Sequence, residues 1–153
     1  MYSTKMFDLS GHVAVVTGGN GGIGRSLALG YAAAGASVAI AGRNDEKNQA
    51  VLDELREIGN PAMSLRVDLT QRDQLEPCMQ EIEGQLGSVD ILVNNAGIAS
   101  LSGGILQESA EDWDMVIETQ LNSVFLISKL AASSMKERNG GKIINIGSMY
   151  SYF

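Results

Sequence analysis

The stretch Thr17-Gly18-Gly19-Asn20-Gly21-Gly22-Ile23-Gly24 constrains this chain more than any other. Ahead of it runs a short apolar segment, Val13-Ala14-Val15-Val16. Behind it, Ile23, Leu27, Tyr31 and Ala34 fall on one face of a helix. A strand, a glycine turn and a helix start therefore follow one another. In that context a glycine run can cradle an anion as well as reverse the chain. Glycine reaches backbone angles closed to other residues and lets the main chain approach a bulky group. A helix starting near Gly22 aims unpaired N–H groups and its positive dipole end at the turn, which suits a pyrophosphate. Gly18, Asn20, Gly22, Ile23 and Gly24 are the candidate contacts. A plain glycine-rich turn is the competing reading.

The remainder of the chain alternates strand and helix. Strands are expected at His12–Thr17, Ser37–Ala41, Ala62–Val67, Val89–Val93 and Lys142–Ile146. The first helix runs from Gly22 to Ala34 and is closed by Gly35. Asn44 caps the second, with Val51, Leu52, Leu55 and Ile58 inward, and Gly59-Asn60-Pro61 stops it. Thr70 opens the third, with Asp73 as a capping partner and Pro77 expected to bend it. Ser109 and Asp112 cap a long helix reaching Arg138. Runs such as Ile91-Leu92-Val93 show no polar alternation, as in strands buried on both faces of a parallel sheet. The expected fold is α/β, a doubly wound, Rossmann-like parallel sheet in one domain over residues 1–153.

Composition excludes several classes. The 153 residues carry a net charge of −7 with no basic cluster, a poor match to nucleic acid. No apolar run approaches the ~20 residues of a membrane span, and Met1–Phe7 has no apolar core of a leader. Cys78, the only cysteine, falls on the stripe Leu75, Cys78, Met79, Ile82, Leu86 and reads as core. A reduced, cytoplasmic setting follows. His12, the only histidine, reads as a surface residue, and nothing has metal-ligand spacing.

In such a fold ligands bind at the carboxyl ends of the strands. The second strand ends Ala41-Gly42-Arg43-Asn44. An acidic residue here suits a ribose 2′-hydroxyl, whereas an arginine suits a 2′-phosphate. Gly42 leaves room and Arg43 offers a planar fork, which favours NADP(H) over NAD(H). A solvated arginine at a turn is the alternative. The third strand ends Val67-Asp68-Leu69-Thr70, the fourth Asn94-Asn95-Ala96-Gly97 and the fifth Asn145-Ile146-Gly147-Ser148.

The glycine spacing Thr17-Gly18-x-x-x-Gly22-x-Gly24 and the run Asn94-Asn95-Ala96-Gly97 resemble the short-chain dehydrogenase/reductase family. The resemblance covers residues 7–153 and implies hydride transfer between a nicotinamide and a small secondary alcohol or ketone, of sugar-acid, polyol or oxoacyl type. It implies that Asp68 hydrogen-bonds an adenine beside Leu69, although Asp68 could equally cap a turn. By the same resemblance Asn94 ties neighbouring strands together, Asn95, Ala96 and Gly97 line the cofactor, and Ser148 binds the substrate oxygen. The full-length form would be a homo-oligomer, with the long helix as a subunit contact, although the sequence shows no apolar stripe on that helix's outer face.

Three features depart from the family pattern. Members using NADP(H) often carry a basic residue before the second motif glycine, and here that residue is Gly21. The catalytic asparagine, whose backbone holds a relay water, is replaced by Gln120, expected to face inward with Val116, Ile117 and Val124. The Tyr-x-x-x-Lys pair is not found: Tyr150 and Tyr152 follow Ser148 too closely, and the fourth position beyond each lies past Phe153. The expectation is therefore the first part of a longer enzyme, cut short after the fifth strand. The rival expectation is a nucleotide-binding module without turnover.

Overall fold

A computed structural model describes residues 4–99 and 104–148. Five parallel strands, β1 (Val13–Thr17), β2 (Ser37–Gly42), β3 (Ala62–Arg66), β4 (Ile91–Asn94) and β5 (Lys142–Asn145), form one sheet in the order β3-β2-β1-β4-β5. Between them run α1 (Gly22–Ala33), α2 (Asp45–Ile58), α3 (Arg72–Leu86), α4 (Ala110–Ile117) and α5 (Ser123–Glu137). The strand order reverses between β1 and β4, which is where this topology opens a crevice.

Side chains alternate across the sheet, so each central strand feeds two cores. Val13 and Val15 face Leu75, Met79, Ile82 and Ile127 of α3 and α5. Ala14 and Val16 face Ala28, Val51 and Leu55 of α1 and α2. Burial on both faces holds for β1, β2 and β4. It fails at the edges: β5 is exposed along its whole length, with Ile143 and Ile144 each 38% accessible. Among the described residues no helix is long and apolar enough to cross a membrane.

The punctuation residues act as their chemistry dictates. Asn44 Oδ1 accepts from Lys47 N at 2.8 Å and Ser109 Oγ from Asp112 N at 3.0 Å. Gly35 follows α1 with φ +101 and Gly59 follows α2 with φ +97. Thr70 does not open α3: its N–H and hydroxyl both donate to Asp68 Oδ1, and the helix starts two residues later with Pro77 inside it. Two faces differ from the sequence reading. On α1 the buried residues are Gly24, Ala28 and Ala32, while Ile23 is 65% exposed. Small side chains at every fourth position let that helix lie close to the sheet, and Leu27 and Tyr31 flank the contact half-buried. On α2, Ile58 is the last residue before the Gly59 cap and is exposed. Cys78 is buried, and burial with Glu81 nearby pushes its thiol up to about 11. His12 is exposed.

The long helix is interrupted. Residues Glu118–Asn122 form a π-helical turn between α4 and α5. Thr119, Ser123, Ile127, Ala131 and Met135 are the buried stripe. Buried Ser123 satisfies its hydroxyl by donating to the Thr119 carbonyl at 2.6 Å. Gln120 is therefore not inward but exposed, because the widened turn and this stripe put Thr119 in the core instead. The outer face is also more apolar than expected, with Trp113 55%, Leu121 61% and Phe125 64% accessible. An ion pair clamps the π turn to the start of α3: Arg72 Nε and Nη2 donate to Glu118 Oε1 and Oε2 at 2.6 and 2.8 Å. Asn122 Nδ2 donates to the same carboxylate.

The clamp has a pH signature. Hydrogen bonds from Arg72 and Asn122 hold the Glu118 carboxyl at about 2, below its ordinary 4.5. Its stabilising contribution is present above the unfolded value and is lost as pH falls from 4.5 towards about 2. Glu118→Gln should be less stable than the parent near neutrality, with the gap closing across that acid range. Urea unfolding followed by circular dichroism at stepped pH checks this; a pH-independent gap would contradict it.

Candidate functional site

Thr17 builds the site's frame. It ends β1, is only 2% exposed, and its hydroxyl reaches across to the end of β4. Thr17 Oγ1 accepts from Asn95 N at 3.0 Å and from Ala96 N at 3.1 Å. It donates to Val93 O at 3.3 Å. Asn95 returns the contact, its Nδ2 donating to Thr17 O at 3.0 Å and Gly18 O at 3.3 Å. The glycine turn after β1 and the loop after β4 are thus bound together across the point where strand order reverses.

The glycines are required by this closeness. Gly18 has φ +63, and a Cβ on it would lie 2.9 Å from Ala96 Cα. A Cβ on Gly24 would overlap the Gly18 carbonyl oxygen and the Asn95 amide nitrogen. Gly24 thus keeps the start of α1 against the turn itself, which leaves the first N–H groups of α1 facing the crevice.

A cleft of about 390 Å³ opens there. It brings together Gly18, Asn20, Ile23 and Gly24 of the turn with Arg43 after β2, Asp68 and Leu69 after β3, and Asn95, Ala96 and Gly97 after β4. Of the nucleotide contacts expected from sequence, only Gly22 is not on its wall. Asp68 caps a turn through Oδ1, accepting from Thr70, and it also lines the cleft. Asn94 joins strands as expected, its Nδ2 donating to Asn145 Oδ1 at 2.8 Å and to Ser128 Oγ at 2.9 Å.

Gln120 is exposed and is not on the cleft lining. Its Oε1 accepts from Ile98 N at 2.8 Å, and a Cβ on Gly97 would sit 3.2 Å from the same oxygen. Ser148 is exposed beyond β5, at the same end of the sheet but not on the cleft lining. Tyr150 and Tyr152 lie outside the described residues.

Sequence reasoning missed Ile98, Thr119 and Asn48. The first two line the cleft through the Gly97 loop and the π turn. Asn48 stands behind it, 3% exposed. Its signal was present: it shares the inward stripe of α2 with Val51, Leu52 and Leu55, where a polar residue needs a buried partner.

The cleft fits a dinucleotide on this geometry: a glycine cradle that a Cβ would fill, a helix start aimed at it, and polar groups at three further strand ends.

Comparison with known proteins agrees. The family model described as short chain dehydrogenase matches residues 12–153. The chain is 40% identical over 147 residues to 2-dehydro-3-deoxy-D-gluconate 5-dehydrogenase of Escherichia coli (strain K12), covering 95% of this chain and 57% of that protein. It is 40% identical over 152 residues to gluconate 5-dehydrogenase of Gluconobacter oxydans (strain 621H), covering 99% and 59%. It thus spans somewhat over half the length of these relatives. The crystal structure of a short-chain type dehydrogenase/reductase from Mycobacterium marinum superposes with TM-score 0.93 at 40% identity, over 100% of this chain and 62% of that one. A metagenomic short-chain oxidoreductase in complex with NADP matches at TM-score 0.87 and 36% identity, over 92% and 63%. A 7α-hydroxysteroid dehydrogenase complexed with NADH and 7-oxo glycochenodeoxycholic acid matches at TM-score 0.93 and 34% identity, over 100% and 59%. A glycine turn locked to an Asn-Asn-Ala-Gly loop at the switch point, in a chain matched by these proteins throughout, places it in the short-chain dehydrogenase/reductase family.

Proposed function

We propose that the chain carries the nucleotide-binding part of an NADP(H)-linked oxidoreductase acting on a small secondary alcohol or ketone. The observation that carries the cofactor choice is Arg43 beside Gly42 on the cleft wall, with no acidic side chain at either position. The relatives named for gluconate and 2-dehydro-3-deoxy-D-gluconate support a sugar-acid or polyol substrate. Two structural neighbours hold NADP and another holds NADH, so the choice between them rests on Arg43.

In this reading the glycine turn and the first N–H groups of α1 bind the pyrophosphate. Arg43 holds a 2′-phosphate, and Asp68 and Leu69 border the adenine. Asn95, Ala96 and Gly97 line the nicotinamide-ribose side. A bound nicotinamide dinucleotide supplies the hydride chemistry. Ser148 orients the substrate oxygen and donates a hydrogen bond to charge developing on it. The Gln120 side chain accepts from Ile98 N, and in this reading the Gln120 main-chain carbonyl holds the relay water. Association into a homo-oligomer would cover Trp113, Leu121 and Phe125.

Arg43→Ala should weaken NADPH binding by about 1.5–3 kcal/mol, a ten- to hundredfold change, with NADH little altered. Fluorescence titration with both dinucleotides measures this; equal losses would count against 2′-phosphate recognition. Gly24→Val should lower affinity for both alike, because the branched side chain meets the Gly18 carbonyl and the Asn95 amide. Undiminished binding by a folded Gly24→Val variant would show that the turn is not the site.

A further inference from the structure

The wall of the cleft beside Arg43 is built from an ordered pair of amides. Asn48 Nδ2 donates to two main-chain carbonyls, Gly42 O at 2.9 Å and Leu65 O at 3.2 Å. Two acceptors demand the NH₂ end of the amide, so the orientation of Asn48 is determined by its partners. Its Oδ1 is then turned toward the cleft wall, where it accepts from Asn20 Nδ2 at 2.7 Å. An oxygen there demands a donor in return, so Asn20 too has its NH₂ group in a set direction. One N–H of Asn20 is used by Asn48, and the other makes no hydrogen bond among the described residues. Asn48 is 3% exposed and makes no contact with the cleft itself, whereas Asn20 lines it.

The Asn20 amide also fills a particular place. A Cβ added to Gly42 would overlap Asn20 Nδ2, with Asn20 Cγ at 2.7 Å and Asn48 Oδ1 at 2.8 Å. Gly42 is the residue at the end of β2, where an acidic side chain would have to stand to accept from a ribose 2′-hydroxyl. In this chain that volume is taken by an N–H donor. A hydroxyl can still accept from that donor, but a 2′-phosphate makes the stronger, charge-assisted bond, so the amide favours the phosphate and adds to the guanidinium of Arg43.

We propose that Asn20 is a specificity-determining residue for the 2′-phosphate and that Asn48 is the positioning residue that holds its amide over Gly42. The inference rests on the dinucleotide reading above and deepens it. It distinguishes Asn48 from a simple clasp between β2 and β3, because a clasp would change stability and leave cofactor preference alone.

The test uses the full chain and measures Kd for NADPH and NADH in the parent, Asn20→Ala, Asn48→Ala, Gly42→Asp and the Asn20→Ala/Gly42→Asp pair. Asn20→Ala should weaken NADPH roughly tenfold, the loss of one charge-assisted hydrogen bond, and leave NADH within about twofold. Asn48→Ala should shift the NADPH-to-NADH ratio in the same direction, beyond any fall in melting temperature. Gly42→Asp alone should impair both dinucleotides, and removing the Asn20 amide should restore NADH binding to it. Equal losses for both dinucleotides in Asn20→Ala, an unchanged ratio in Asn48→Ala, or NADH binding to Gly42→Asp that is indifferent to Asn20 would each overturn the inference. Should Gly42→Asp fail to fold, Gly42→Ala with and without Asn20→Ala gives the same comparison: the added Cβ should lower the melting temperature less once the Asn20 amide is gone. A parent chain that binds neither dinucleotide would overturn the dinucleotide reading and this inference with it. Binding of both with additive, unselective effects would overturn the inference alone.

Discussion

The Thr17 hydroxyl is the contact on which the rest of the site depends. A parallel sheet that reverses its strand order leaves two strand ends side by side with nothing in the ladder to join their outgoing loops. Here one buried oxygen accepts from two consecutive N–H groups, Asn95 and Ala96, and donates its own hydrogen bond to Val93 O. Without it both N–H groups would lose their protein partner at the half-buried junction of the two loops. The same contact brings the Gly18 backbone against Ala96, which excludes a side chain at Gly18, while the Gly18 carbonyl and the Asn95 amide exclude one at Gly24. The absence of side chains in the turn follows from the stitching as much as from any ligand.

The opposite wall has a different origin. Thr119, Gly97 and Ile98 belong to the π turn and the loop it supports. The π turn is anchored at both sides: Glu118 is gripped by Arg72 from α3, and Gln120 reaches the Ile98 N–H. A widened turn is a costly way to continue a helix. It lets Thr119 enter the core while the next residue faces the loop after β4. A longer glutamine in place of asparagine is accommodated because its oxygen finds a backbone donor at that loop.

Strand ends, caps and the strand-joining role of Asn94 were legible because each depends on local chemistry: an apolar run, a capping oxygen, a glycine at positive φ. The cleft residues were legible because strand ends in a parallel sheet converge whatever the loop details. Three things were not. The buried face of α1 was misread because hydrophobicity marks Ile23 and Leu27, whereas close packing selects Gly24, Ala28 and Ala32. The facing of Gln120 was misread because a period of 3.6 assumes an unbroken helix, and nothing local in Glu118–Asn122 announces a π turn. The role of Asn48 depends on carbonyls from two other strands, which only the assembled sheet places beside it.

The proposed nucleotide contacts and the proposed substrate contact rest on unequal supports. The cleft is lined by residues that follow β1, β2, β3 and β4, and three of those strands have core on both faces. Ser148 follows β5, which pairs with β4 alone and is exposed at every residue. The connection between them is narrow. Asn94 Nδ2 donates to Asn145 Oδ1 on β5 and Ile146 N donates to Asn94 O at 2.9 Å, while Asn95, the next residue, is locked to Thr17. Asn94 therefore belongs to both supports, its side chain and carbonyl holding β5 and its successor holding the glycine turn. Asn94 thus ends the β4–β5 ladder with a side-chain bridge to Asn145, which explains why an amide, able to bridge strands sideways, stands where a purely apolar side chain would otherwise end β4.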